Sequence, residues 1–264
     1  MTADITRNSQ ITARYASLLG RTVVVTGGAS GIGAEIVKAF AKQGCRVAFL
    51  DIQLDQGNSL TRSLTPDVEH PPLFHCCDLQ DIAALRSEIA RIHAILGPAA
   101  VLVNNAAVDQ RHDFDALEPD DFDRMMRLNL RHVVFASQAV LPQMRRLGFG
   151  SIINMTSGAW MRGTAAMESY SAAKAGIVGF TNSLAREVGS DRIRVNAIAP
   201  GLVMTERQRS LWYRDETAVT AAMSRQSLPD PVAPGDIAAA ALFLASDDSR
   251  AITRQCLLVN GGSM

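Results

Sequence analysis

Residues 21–40 read RTVVVTGGASGIGAEIVKAF, and this stretch decides the fold. Its first part, Arg21–Thr26, is rich in β-branched residues, which pack well on a pleated surface, and it predicts a buried strand. Apolar residues then recur at helical spacing over Gly31–Gln43, which predicts a helix. The glycine-rich turn between them opens the helix, where unpaired N–H groups and the helix dipole attract phosphate. Its place between the first strand and the first helix favours nucleotide binding over a plain tight turn.

The same alternation of short apolar runs and longer amphipathic stretches continues along the chain. Further strands are predicted over Arg46–Asp51, Leu73–Cys76, Ala100–Asn104, Ser151–Ser157, Arg194–Ala199 and Gln255–Val259. Helices are predicted over Asp81–Leu96, Pro119–Leu147, Ser169–Val188 and Gly235–Ala245. Apolar strands that alternate with helices are typical of a parallel sheet covered on both faces. We therefore expect an α/β fold, a single doubly wound domain of the Rossmann type over residues 1–264 with a parallel seven-stranded sheet.

One segment breaks this rhythm. Residues Gly201–Val232 form a long stretch that is polar in places and contains Trp212 and Tyr213. Long insertions beside a site are more often functional than structural. We interpret this segment as a lid that covers a substrate.

Composition excludes several classes of function. The 264 residues are 47% hydrophobic, and 26 Lys and Arg balance 26 Asp and Glu. This balance argues against broad binding to nucleic acid or anionic membranes, which needs a basic surplus. The longest apolar runs, such as Ala238–Ala245, fall short of the ~20 residues that span a bilayer, and Met1–Tyr15 has no apolar signal-peptide core. We expect a cytoplasmic protein without nucleic-acid or membrane partners.

Cysteine and histidine form no metal-site pattern in this sequence. No two of the four cysteines are separated by the two-residue gap of a zinc or redox site. The five histidines form no cluster with cysteines or carboxylates at ligand spacing. We expect buried free thiols in a reducing compartment and no bound metal.

An acidic residue ends the second predicted strand. Asp51 lies 18 residues after Gly33, where a carboxylate can accept hydrogen bonds from a dinucleotide ribose and repel a 2′-phosphate. Ser30 is uncharged, so the turn offers that phosphate no basic partner, and we predict NAD rather than NADP. Asp78, after the third strand, can meet the adenine edge. The pair Asn104–Asn105 ends the fourth strand at the edge where ligands bind in such folds, although both residues are also turn formers.

Two residues of one predicted helix suggest proton transfer. Tyr170 and Lys174 are four residues apart and therefore share a face. A free phenol, with a pKa of about 10, is a poor base at neutral pH, but a neighbouring ammonium favours the phenolate. By itself such a pair is more often a surface pair, yet Ser157 ends the fifth strand at the same sheet edge and can bind a reacting oxygen. Asn129 can hold a water near Lys174 or, alternatively, bend its helix through a backbone hydrogen bond.

Together these features resemble the short-chain dehydrogenase/reductase family, from about Leu19 to Gly262. The matching stretches are TGGASGIG at 26–33, Asp78-Leu79, NNAA at 104–107, Asn129, Ser157, YSAAK at 170–174, Pro200-Gly201 followed by Thr205, and NGG at 260–262. Ala107 and Asn260 stand where the family commonly has glycine and aspartate. Neither departure removes a reactive group.

The resemblance implies nicotinamide-dependent hydride transfer, in an enzyme that is usually a homotetramer. It implies that Tyr170 is the acid/base and that Lys174 lowers its pKa and grips the nicotinamide ribose. It also implies that Ser157 orients the substrate and that Asn129 supports a proton relay. The expected cofactor contacts are Gly27, Ser30, Gly31, Ile32, Gly33, Asp51, Asp78, Leu79, Asn105, Ala106, Tyr170, Lys174, Pro200, Gly201, Val203 and Thr205.

A narrower resemblance concerns the substrate. Asp109–His112, Asn129–His132 and Thr205–Gln208 resemble stretches of bacterial sugar dehydrogenases of this family. Aromatic side chains in the predicted site loops suit the C–H face of a sugar, and arginines there can hold a carboxylate in two hydrogen bonds. Any one of these arginines can equally be solvated or contact another subunit. The predicted substrate contacts are Arg111, Ser157, Trp160, Arg162, Tyr170, Arg207 and Arg214.

These residues lead to a main hypothesis and two alternatives. The main hypothesis is an NAD-dependent oxidation of a secondary hydroxyl in a sugar acid, for example 2-keto-3-deoxy-fuconate or 2-keto-3-deoxy-rhamnonate. The first alternative is oxidation of a neutral aldose at carbon 1 to its lactone. The second is a nucleotide-sensing regulator that kept the fold and lost the chemistry, which the presence of Ser157, Tyr170 and Lys174 disfavours.

Overall fold

The computed structural model describes residues 11–211, 213 and 215–264. Within them, seven parallel strands form one sheet in the order β3-β2-β1-β4-β5-β6-β7. The strands are β1 Thr22–Thr26, β2 Arg46–Asp51, β3 Leu73–Cys76, β4 Ala99–Asn104, β5 Gly150–Met155, β6 Ile193–Pro200 and β7 Cys256–Val259. The predicted doubly wound α/β fold is therefore confirmed.

Helices connect the strands. They are α1 Gly31–Lys42, α2 Leu54–Leu64, α3 Ile82–Leu96, α4 Pro119–Met126, α5 His132–Leu147, α6 Ala159–Arg162, α7 Glu168–Val188, α8 Glu206–Leu211, α9 Glu216–Met223 and α10 Pro234–Ala245. A π-helical turn, Arg127–Arg131, joins α4 to α5. The predicted lid contains α8 and α9.

The central strands are apolar because both faces of the sheet are covered. All five residues of β1 are buried. Val23 and Val25 belong to one hydrophobic cluster together with Phe40 of α1. Val24 points to the opposite face and belongs to a second cluster together with Leu85 of α3. The alternation of side chains along a strand thus places consecutive valines in two separate cores.

Several element boundaries differ from the sequence prediction. Helix α2 is not predicted, because it is mostly polar and buries only Gly57 and Leu64. The helix predicted over Pro119–Leu147 is interrupted by the π-helical turn. Strand β5 ends at Met155, so Ser157 lies two residues beyond the strand rather than at its end.

No helix among residues 11–211, 213 and 215–264 is long and apolar enough to cross a membrane. Within the same residues, no group of three or more His, Cys, Asp and Glu side chains is arranged to hold a metal ion.

Candidate active site

A cleft of about 1100 Å³ lies along the carboxyl edge of the sheet. It opens where the chain order reverses, since β1 pairs with β2 on one side and with β4 on the other, and Thr26 lies beside Asn104 in the register. In open α/β sheets this reversal point forms the ligand-binding crevice. Every residue predicted to contact the cofactor lines this cleft, as do Ser157, Tyr170 and Lys174.

The glycine turn is held tightly against its surroundings. Gly27 has φ +65°, and a Cβ there would lie 2.6 Å from the Cα of Ala106. A Cβ on Gly33 would lie 1.8 Å from the main-chain oxygen of Gly27. Asn105 Nδ2 donates to that oxygen at 2.8 Å, and its main-chain N–H donates to Thr26 Oγ1 at 3.0 Å. Asn105 therefore supports the turn as well as lining the cleft.

A buried carboxylate organises the neighbouring end of the cleft. Asp51 Oδ2 accepts a hydrogen bond of 2.9 Å from Ala29 N–H, and Oδ1 accepts one of 3.0 Å from Gln53 N–H. Gln53 Nε2 also donates to Ser30 Oγ at 3.1 Å. The described residues that line this end include no Lys or Arg: they are Ser30, Gly31, Ile32, Asp51, Ile52, Gln53, Gln56, Cys77, Asp78, Leu79 and Gln80.

These groups fit a dinucleotide. The glycines at 27, 31 and 33 keep the turn narrow at the start of α1, and the carboxylate of Asp51 is fixed beside it. A helix start with free N–H groups suits a pyrophosphate, and a carboxylate suits a ribose diol.

Tyr170 and Lys174 lie at the other end of the cleft, on one face of α7. Lys174 Nζ donates a hydrogen bond of 2.8 Å to the main-chain oxygen of Met155 and lies 5.7 Å from the centre of the Tyr170 ring. The ring packs with Met125, Ala159 and Met167 in a small buried cluster. Both polar groups are thus removed from bulk water.

Burial dominates the protonation of this pair. It raises the pKa of Tyr170 to about 12, against the lowering effects of a Ser157 hydrogen bond and the Arg162 charge. Burial lowers the pKa of Lys174 to about 7. Asp109 raises both pKa values. The lowered Tyr170 pKa expected from the sequence is therefore not found, because loss of hydration opposes the phenolate more than the nearby positive charge favours it.

Asn129 lies within the π-helical turn and is fully buried. Its Oδ1 accepts a hydrogen bond of 2.9 Å from Val108 N–H, and its Nδ2 donates to Met125 O at 3.0 Å. The side chain of Asn129 therefore bonds to the backbone, which agrees with the alternative that it bends its helix through a backbone hydrogen bond. It is not among the residues that line the cleft.

The predicted substrate residues are only partly brought together. Arg111, Arg162 and Arg207 line the cleft, and so does Tyr213. Trp160 is not among the lining residues, and its Nε1 is buried without a hydrogen-bond partner in the described part of the chain. Arg214 and Trp212 lie outside the described residues.

The sequence analysis missed three charged lining residues as candidate contacts, which are Asp109, Arg127 and Glu206. Arg127 lies in the π-helical turn, and Asp109 follows β4. A positional signal for Asp109 was present, since it comes shortly after the asparagines that end a strand at the carboxyl edge. The signal for Arg127 was absent, because a π-helical turn changes which side of a helix faces the cleft.

The chain is similar to several known dehydrogenases and reductases. A family model described as enoyl-(acyl carrier protein) reductase matches residues 27–264. A probable galactose dehydrogenase of Rhizobium meliloti is 44% identical over 250 residues, covering 95% of this chain and 97% of that protein. The D-xylose 1-dehydrogenase of Caulobacter vibrioides is 41% identical over 250 residues, covering 95% and 98%. A crystal structure from Sinorhizobium meliloti, described as that of a short-chain alcohol dehydrogenase, superposes with a TM-score of 0.89 at 29% identity, covering 94% of this chain and 98% of that one.

The fold, the cleft and these matches define a class of protein, the nicotinamide-dependent oxidoreductases. Within that class, the chain belongs to the short-chain dehydrogenase/reductase family.

Proposed function

We propose that the protein is an NAD-dependent aldose 1-dehydrogenase, which oxidises a neutral sugar at carbon 1 to its lactone. The observation that carries this proposal is the pair of relatives named for galactose and D-xylose, which match nearly the whole chain. The residues of the cleft suit the reaction, since Ser157, Tyr170 and Lys174 line it together.

The sugar-acid hypothesis has less support. Two of the relatives at the highest identity are named for neutral aldoses. Among the arginines expected to bind a substrate carboxylate, Arg207 already bonds to the carboxylate of Asp109, with Nε and Nη2 both 3.3 Å from Oδ1. A protein carboxylate in the same cleft opposes a second, substrate-borne one.

The preference for NAD is proposed from the adenosine end of the cleft. Asp51 is buried and fixed by two main-chain N–H groups. Its charge would repel a 2′-phosphate, and the described lining residues around it provide no Lys or Arg to bind one.

The chain's own residues would bind the sugar and move its proton. Ser157 would hold the reacting hydroxyl, and Tyr170 would take the proton from it as a general base. A bound oxidised nicotinamide supplies the hydride acceptor. Since burial keeps Tyr170 protonated at neutral pH, positive charge from Lys174 and from the nicotinamide must favour the phenolate. A role for Asn129 in passing the proton to solvent stays a prediction, as do the homotetramer and the cytoplasmic location.

Residues 201–232 would form the lid over the substrate. The chain crosses the cleft there, because Leu202, Val203 and Thr205 line it before α8 begins. Val203 and Val232 then meet in a parallel bridge that brings the two ends of the segment together.

A substrate panel tests this function. Reduction of NAD and NADP would be followed by absorbance at the reduced nicotinamide band, with galactose, xylose and glucose against the corresponding aldonic acids and 2-keto-3-deoxy sugar acids. We expect NAD reduction with at least one neutral aldose and a lactone as the first product. Turnover with sugar acids and none with aldoses would refute the proposal and revive the sugar-acid hypothesis.

A further inference from the structure

Asp109 connects the body of the protein to the first lid helix. Its Oδ2 accepts a hydrogen bond of 2.6 Å from Gln208 Nε2. Its Oδ1 accepts from Arg207 Nε at 3.3 Å. Both donors belong to α8. Asp109 follows β4 and lies 98 residues before Arg207 in the chain. These bonds therefore hold the lid helix to the loop that follows β4.

The segment that carries Asp109 is anchored on both sides. Val108 N–H donates to Asn129 Oδ1 at 2.9 Å, and Asn129 is fully buried. His112 N–H donates to Ala166 O at 3.0 Å. Asp109 is therefore held by the packed core on one side and by the loop before α7 on the other.

The lid helix has much less support of its own. Helix α8 has six residues, and the side chain of Arg207 is 58% exposed, against 22% for Asp109. A helix this short is not stable by itself in water. Its position over the cleft consequently depends on contacts with the body, and Asp109 provides two of them.

The same carboxylate lies in the electrostatic field of the catalytic pair. Tyr170 is faced by Lys174 from its own helix, by Arg162 from α6 and by Asp109 from the loop after β4. Lys174 is further faced by the buried His132 of α5. Among these groups, Asp109 is the carboxylate that acts on both Tyr170 and Lys174.

We propose that Asp109 determines substrate specificity by two effects: it holds α8 over the sugar through Arg207 and Gln208, and its charge disfavours anionic sugars in the cleft. A neutral sugar can donate hydroxyl hydrogen bonds to lone pairs of the carboxylate that remain available. An aldonic or keto-acid substrate would instead bring a like charge into a partly desolvated site. This inference rests on the proposed aldose 1-dehydrogenase activity.

Three variants separate the two effects. In Gln208→Ala the contact is lost without a change of charge, so we expect the KM for the aldose to rise about tenfold with an unchanged pH profile. In Asp109→Asn we also expect a higher KM for the aldose. Because the negative charge is removed, kcat/KM should begin to increase at a lower pH than in the wild type. In Arg207→Ala the negative charge of Asp109 is left uncompensated, so kcat/KM should begin to increase at a higher pH than in the wild type.

Selectivity provides the second readout. For Asp109→Asn we expect the inhibition constant of the matching aldonic acid, relative to the KM of the aldose, to fall at least tenfold. Asp115→Asn, an exposed carboxylate further along the same segment, is the matched control and leaves these values unchanged. An Asp109→Asn enzyme with wild-type KM, acid inhibition and pH profile would overturn the proposal.

Hydrogen exchange tests the lid contact without any turnover. In the wild-type protein without substrate, amides of residues 206–211 would exchange more slowly than in Asp109→Asn and Gln208→Ala, while those of α7 would be the same in all three. If exchange is faster in the variants but the wild type is inactive on every aldose, the proposed function is refuted. The contact between Asp109 and α8 is then still supported. Equal exchange in all three proteins would overturn the lid contact itself.

Discussion

The carboxylate of Asp51 accepts a hydrogen bond of 2.9 Å from the main-chain N–H of Ala29, inside the glycine turn. One side chain thereby positions the turn and provides negative charge at the end of the cleft where we propose that the adenosine binds. We propose that cofactor choice and the conformation of the turn are coupled through this side chain.

Replacement of Asp51 should weaken NAD selectivity. In Asp51→Ala we expect kcat/KM for NAD to fall about 10–100-fold, since hydrogen bonds to a charged group contribute roughly 1.5–3 kcal/mol each. The value for NADP should fall less or rise, because the repulsion of the 2′-phosphate is removed. Steady-state rates with both cofactors measure this. Asp55→Ala, an exposed carboxylate in the first turn of α2, is the control, and an unchanged NAD-to-NADP ratio in Asp51→Ala would argue against the assignment.

Removal of the Tyr170 hydroxyl should stop the chemical step. In Tyr170→Phe we expect turnover to fall by about 10²–10⁴-fold, the range for general acid–base groups. Binding of NADH, followed by its fluorescence, should be nearly unchanged because the ring and its packing with Met167 remain. Tyr15→Phe, far from the cleft, serves as the control. Retained turnover in Tyr170→Phe would remove the basis of the proposed mechanism.

Oxidation should become faster as the pH rises. Burial raises the pKa of Tyr170 to about 12, so the phenol keeps its proton at neutral pH and the base form increases with pH. We expect log kcat/KM for the aldose to rise with a slope near one toward alkaline pH. A flat profile in the wild type would mean that another step or another base limits the rate.

His132 should make the protein sensitive to acid. It is fully buried, and burial followed by the charge of Lys174 lowers its pKa to about 3 from an ordinary value of 6.5. Between these two values the unfolded chain binds the proton more strongly than the folded one, so stability falls as the pH drops from about 6.5 toward 3.

Thermal unfolding at several pH values measures this effect. In His132→Gln, the decrease in Tm between pH 6.5 and 4 should be several degrees smaller than in the wild type. His70→Gln, a partly exposed histidine, provides the comparison and should follow the wild-type curve. Parallel curves for the wild type and His132→Gln would show that another group causes the acid sensitivity.

Much of the fold was predictable because its signals are local. Strand β1 was predicted to within one residue, since five consecutive residues with β-branched side chains occupy it. Helix α2 was not predicted, because a helix that buries only Gly57 and Leu64 has few apolar residues to mark it. The sequence indicated a bend at Asn129 but not its form, because a π-helical turn over Arg127–Arg131 depends on how the two flanking helices pack.

The sequence by itself determined the sheet, the glycine turn and the line of reactive groups at the carboxyl ends of the strands. These features are properties of neighbouring residues: the apolar period, the glycine content and the four-residue spacing of Tyr170 and Lys174. They can be recognised without knowledge of the rest of the chain. Only the tertiary structure decided the hydrogen bonds of Asp109 to α8, the backbone partners of Asn129 and the upward shift of the Tyr170 pKa. Burial and electrostatic fields depend on segments that are distant in sequence, so no local pattern contains them.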